Sequence, residues 1–205
     1  MTIRAVVFDV GGVLEHRIDT NLDGRWEQRL GLAPGEFFTR LRASGLGRDA
    51  DLGRISEAEF AAALGRLYGL DPPTTDRLLA DLWDWYVGEL NSELADYFQR
   101  LRPRYRTAIL SNGAAGGARA EQARYGLAEM ADPLVYSYQE GIEKPDQRIY
   151  RRTCQRLGVR PQEVVFLDDV QANVVAARQV GMHAVRFLDT TQAIAEVDAC
   201  LSAAG

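Results

Sequence analysis

The chain has 205 residues and a formal net charge of −5, which is room for one core domain plus a modest insertion and too little for two full domains. The acidic balance disfavours nonspecific nucleic-acid binding, and no apolar run approaches the ~18 residues of a membrane span. MTIRAVV enters strand material without signal-peptide organisation, and Cys154 and Cys200 form neither a CxxC pair nor a disulfide framework, so a cytoplasmic protein is expected.

Residues 4–9, RAVVFD, read as a buried strand that ends on a carboxylate, Asp9, followed by the glycine pair Gly11 and Gly12. Residues 16–90 hold no good strand. Apolar stripes at helical spacing occur there instead, one through Phe60, Leu64 and Leu67, another through Leu78, Leu79, Leu82, Trp85 and Tyr86. Trp83, Trp85 and Tyr86 are assigned to the interior of this helical insertion. Arg25 and Trp26 are its candidates for substrate contact.

Strand and helix alternate after that. RTAILS (106–111) and PLVYSY (133–138) read as strands. A helix is expected over 146–157, with Pro145 as a favourable opening residue. EVVFLDD (163–169) is the next strand, 170–180 the next helix, closed by Gly181, and MHAVRF (182–187) a last strand. The pattern predicts an α/β fold with a doubly wound, mainly parallel sheet. Its core comprises residues 1–15 and 91–205, and a helical cap of residues 16–90 is inserted after the first strand.

Ligands of open parallel sheets bind outside the carboxyl ends of the strands. Those ends carry Asp9, then Ser111 and Asn112, then Asp168 and Asp169, with Lys144 after the third strand, just before a helix start. Lys144 is the only lysine in a chain that otherwise uses arginine. A compact ammonium fits a crowded polar pocket that a planar guanidinium does not. Three converging carboxylates and one ammonium still leave excess negative charge, which a hard divalent cation such as Mg2+ would resolve.

FDVGGVL, ILSN, EKPD and VVFLDDVQAN-VVAARQVGM together resemble the four motifs of the haloacid dehalogenase-like hydrolase superfamily, in order and spacing, over residues 3–15 and 91–190. The stretch from YQEGIEKPDQRIY to FLDDVQAN is most similar to its phosphatase branch, which includes α-glucose-1-phosphatases and the phosphatase domain of soluble epoxide hydrolases. The resemblance implies a helical cap and a Mg2+-dependent phosphatase. Asp9 would be its nucleophile and form an aspartyl-phosphate. Ser111 and Asn112 would bind the phosphoryl group, and Lys144 would neutralise charge on both. The metal would take Asp9, the Gly11 carbonyl and Asp169, with Asp168 beside them and Asn173 outside.

This sequence departs from that pattern at Gly11, where most such phosphatases carry an aspartate that protonates the leaving oxygen. Metal binding through a carbonyl survives a glycine; acid–base catalysis, worth ~10²–10⁴-fold, does not. Three readings follow. Glu15, His16 or a water substitutes; the protein is a 2-haloacid dehalogenase, whose halide needs no proton; or it is a weakly active relative with a binding or regulatory role. The first is preferred, with a small phosphorylated metabolite as substrate and Glu15 and His16 expected in an exposed turn. A monomer or a homodimer is expected. The basic run RLRPRYR (100–106) reads as a solvated loop, and SNGAAGGARA (111–120) matches no nucleotide-binding loop.

Overall fold

A computed structural model describes residues 2–203. The first strand, β1 (Ala5–Phe8), is buried along its whole length, as a parallel strand covered on both faces requires. The chain then leaves the sheet through β2 (Glu15–His16) and runs through five helices: α1 (Leu22–Leu30), α2 (Glu36–Ser44), α3 (Leu46–Asp51), α4 (Glu57–Tyr68) and α5 (Pro72–Val87). It returns through β3 (Glu89–Leu90), which pairs antiparallel with β2. Two residues on each side thus make a narrow double-stranded stem, which the sequence pattern did not announce.

Local chemistry accounts for the cap helices. Ser56 and Glu59 close a reciprocal capping box at the start of α4, and Asp71 caps α5 just ahead of Pro72. The expected stripes turn inward. Phe60, Leu64, Leu78 and Leu82 are buried in one apolar cluster with Trp26 and Phe37, separate from the two clusters that cover the sheet.

The rest of the chain alternates as the pattern demands. It runs α6 (Ser92–Leu101), β4 (Arg106–Ser111), α7 (Ala115–Tyr125), α8 (Leu127–Met130), β5 (Leu134–Tyr136), α9 (Ser137–Glu140), α10 (Gln147–Leu157), β6 (Val164–Asp168), α11 (Gln171–Gln179), β7 (His183–Arg186) and α12 (Thr190–Ser202). Pro145 lies outside α10: Asp146 is the cap, its carboxylate accepting the Arg148 amide.

The five-stranded sheet has the order β5-β4-β1-β6-β7, and every pair in it is parallel. Period-two alternation sends Val6 and Phe8 to one face, where Phe98 of α6 stacks on Phe8 at 4.3 Å. Ala5 and Val7 go to the other, under α10 and α11. Because β1 is central, flanked by β4 and β6 in matched register (Phe8 beside Ile109 and Leu167), the residues that follow these strands emerge together at one edge.

Candidate active site

At that edge Lys144 is the organising charge. Its side chain is 1% exposed, with Nζ 2.8 Å from Asp9 Oδ1 and 2.7 Å from Asp168 Oδ2. Burial works against its ammonium, but the two carboxylates outweigh it and hold the pKa above the usual lysine value. Asn112 fixes the backbone there. Its Oδ1 accepts the Lys144 amide at 2.8 Å, and its Nδ2 donates to the Lys144 carbonyl at 3.0 Å. The Asn112 amide is therefore spent on positioning the lysine, and Ser111, at the end of β4, is the member of the pair whose side chain makes no such bond.

The three carboxylates do converge. Oxygens of Asp9, Asp168 and Asp169 lie within 4.8 Å of one another, but they are not equivalent. Asp168 is wholly buried and saturated: Asn173 Nδ2 donates to both of its oxygens, the Val170 amide to Oδ1, and Lys144 to Oδ2. Asp9 uses only Oδ1, for Lys144 and the Val10 amide. Asp169 is half-buried and faces the same cavity as Asp9. Burial pushes the Asp9 carboxyl up to about 7; Lys144 pulls against this and the Asp168 charge adds to it. Asp169 is raised as well, by burial and by Asp168. One ammonium is too little for this set, and oxygen donors with surplus negative charge suit a hard cation.

The glycine pair divides its work. Gly12 has φ +78°, and a Cβ there would stand 2.6 Å from Asp169 Oδ2, so only glycine lets the backbone pass the carboxylate. At Gly11 a Cβ would meet only Glu15 Oε1, at 3.9 Å. The conformational demand thus falls on Gly12. The place where an acid at position 11 would begin lies beside Glu15.

Glu15 is not in an exposed turn. It is 2% exposed, lines the cavity and has one buried oxygen, Oε2, without a hydrogen-bond partner among the described residues. Burial pushes its carboxyl up to about 9, and the nearby Glu121 adds to the shift. His16 lines the same cavity but is exposed, beside Phe187, so the two neighbours differ in burial.

The cavity spans about 650 Å³ between core and cap. The cap side is supplied by Asp51 and Tyr86, and the segment after β2 by Arg17. None of these three was foreseen as a contact. Arg25 and Trp26, which were, lie elsewhere: Trp26 is buried and donates through Nε1 to Asp81, and Arg25 is exposed away from the cavity. Tyr86 sits in the expected stripe yet reaches the cavity, because α5 crosses the start of α7. Spacing alone does not distinguish a residue that faces the cap interior from one that faces the site.

A family model described as haloacid dehalogenase-like hydrolase matches residues 3–181. D-ribitol-5-phosphate phosphatase of Bacteroides thetaiotaomicron is 30% identical over 87% of this chain and 89% of its own length. The (S)-2-haloacid dehalogenase 1 of Pseudomonas sp. (strain CBS-3) is 37% identical over 90% of this chain and 84% of its own. Acyl-CoA dehydrogenase family member 10 of Mus musculus is 30% identical over 97% of this chain, which spans only 19% of that protein. Among solved structures, a HAD family enzyme of B. thetaiotaomicron in complex with magnesium and inorganic phosphate superposes with TM-score 0.79 at 18% identity, covering 90% and 93% of the two chains.

Proposed function

The chain belongs to the haloacid dehalogenase-like hydrolase family, and from that premise we propose that it is a Mg2+-dependent phosphomonoester hydrolase acting on a small phosphorylated metabolite, a sugar or polyol phosphate being the leading class. One observation carries the reading: three carboxylates share a site with a single ammonium, and one of them, Asp169, is held open to the cavity by a glycine that admits no side chain. The ribitol-phosphate phosphatase relative and the magnesium complex of the structural neighbour point the same way.

In this reading Asp9, the Gly11 carbonyl and Asp169 hold the cation, which supplies charge neutralisation between nucleophile and phosphate when bound. Asp168 orients Lys144, and Asn173 and the Val170 amide orient Asp168. The Asp9 carboxylate attacks phosphorus, forming an O–P bond as the bond to the leaving oxygen breaks. Lys144 and Ser111 bind the phosphoryl oxygens. Water then attacks phosphorus, passing its proton to the group that protonated the leaving oxygen, and the Asp9 O–P bond breaks to release phosphate and restore Asp9.

The leaving oxygen needs a proton that position 11 cannot give. Glu15 is the carboxyl that the fold brings to that place, ahead of His16. It reaches there from another part of the turn, as a less directly aimed acid than an aspartate at position 11. The enzyme is therefore expected to favour good leaving groups, such as anomeric sugar phosphates and aryl phosphates, over simple alkyl monoesters.

The haloacid dehalogenase relative supports a second reading. Halide departs without a proton, but such chemistry gives the surplus carboxylates no task. Phosphate release from a sugar- and aryl-phosphate panel, with Mg2+ and with chelator, decides between them when run beside halide release from 2-haloacids and an Asp9→Asn control. Phosphate release that needs both metal and Asp9 is the expected result. Halide release indifferent to chelator would replace the phosphatase with the dehalogenase.

A further inference from the structure

Two carboxyls besides the Asp9–Asp168–Asp169 set line the cavity. Glu15 contributes an oxygen that is buried and has no partner among the described residues. Asp51, at the last turn of α3, contributes a second carboxyl. It makes no ion pair within 4 Å among the described residues; burial and Glu143 raise it to about 6 while Arg17 pulls it down. Its backbone is pinned: the Asp51 carbonyl accepts Ser137 Oγ at 2.6 Å, and that oxygen also accepts the Gly113 amide at 3.0 Å. Behind the Tyr86 ring lies a third carboxyl, Glu121, wholly buried and accepting the Tyr136 hydroxyl at 2.8 Å. Arg17 also lines the cavity; it is exposed, its guanidinium lies 4.9 Å from the Trp85 ring centroid, and its charge pulls down both Glu15 and Asp51, as that of Arg124 does for Glu15.

We propose that Glu15 and Asp51 form the leaving-group subsite and select phosphate esters of uncharged polyhydroxy compounds, rejecting those whose leaving group carries a carboxylate or a second phosphate. This rests on the phosphatase reading. A hydroxyl donates to the unpartnered Glu15 oxygen and to Asp51, satisfying acceptors that burial has stripped of water. A second anion on the same leaving group is instead set against the Asp51 carboxylate in a partly enclosed site, where like charges are poorly screened. The subsite therefore discriminates by repulsion as much as by attraction.

The test pairs α-glucose 1-phosphate with α-glucuronate 1-phosphate, which share the anomeric leaving oxygen and differ in the charge at C6. In the wild-type enzyme with Mg2+, kcat/KM for the glucose ester is expected to exceed that for the glucuronate ester by at least about tenfold, ~1.4 kcal/mol in transition-state terms. In Asp51→Asn that ratio is expected to fall to within about threefold. An equal or reversed preference in the wild type overturns the proposal whatever the variants do. So does a ratio that Asp51→Asn and Asp51→Ser leave unchanged. 4-Nitrophenyl phosphate separates the two levels: its hydrolysis without the charge preference sinks the subsite alone, and phosphate release from no ester sinks the phosphatase reading and the subsite with it.

Discussion

At the scale of single residues, the two glycines after Asp9 predict opposite responses. Gly12→Ala forces a methyl group onto Asp169 and a side chain into φ +78°, so it should lose metal-dependent turnover and cost about 1–3 kcal/mol of stability in denaturant melts. Gly11→Ala meets only ordinary contact and should change stability by less than ~0.5 kcal/mol. Glu15 is read as the proton source, so Glu15→Gln should cut kcat for alkyl phosphates by about 10²-fold while sparing 4-nitrophenyl phosphate, whose leaving group needs little protonation. Gly11→Asp placed in that background should restore part of the loss. Equal losses on both ester types would assign Glu15 to packing. Lys144→Arg is a third case: a planar fork cannot replace an ammonium packed between two carboxylates at 1% exposure. It should lower kcat by at least ~10²-fold, the size expected when positioned charge stabilisation is lost, and steady-state kinetics on an aryl phosphate would read it.

At the scale of elements, the cap meets the core along α5 and α7, and the contact depends on the absence of two side chains. A Cβ at Gly116 would stand 2.5 Å from the Trp83 ring, and one at Gly117 would stand 2.7 Å from Tyr86 Cε1. The pairs Arg119–Glu57 and Arg124–Asp84 flank that seam; both are exposed and contribute little by themselves. Gly117→Ala must push Tyr86 away from the cavity, so it should raise KM for sugar phosphates several-fold, at a stability cost of about 1–3 kcal/mol. Unchanged KM with an unchanged melt would show that the helices slide apart without consequence. The strands were legible because unbroken apolar runs ending in polar residues leave few alternatives, and the cap helices because their stripes and caps agree. The β2–β3 stem was not, since two residues per strand carry no period. The seam was not either: nothing in GAAGGA (113–118) announces that the tryptophan and tyrosine of a distant helix lie against its glycines.

At the scale of the whole molecule, the site itself was legible to a different depth on each side. Asp9, Ser111 and Asp169 lie at strand exits, where the fold class alone says chemistry gathers, and Lys144 in the loop that precedes α10 on the same side. The cap side depends on which carboxyls become buried, and Glu15, Asp51 and Glu121 look in sequence like any surface acid. Burying them leaves the metal-free protein with more carboxyl protons than its unfolded chain. Asp9 rises from 3.8 to about 7, chiefly by burial, and Glu15 from 4.5 to about 9. A group raised on folding gives its full stability below the unfolded value and loses it as pH climbs through the folded one, so metal-free stability should fall between about pH 5 and pH 9. A divalent cation competes with the proton on Asp9 and should bind more tightly above pH 7 than below it. At about 100-fold excess over its dissociation constant it adds ~2.7 kcal/mol, a rise of about 5–10 °C in Tm for a chain of this size. Thermal melts with Mg2+ and with chelator at pH 6 and pH 8 should show a clearly larger increment at pH 8. Asp9→Asn removes the carboxylate at the centre of that competition and should shrink the increment at both values. An increment equal at both pH values and indifferent to Asp9→Asn would place the cation away from Asp9.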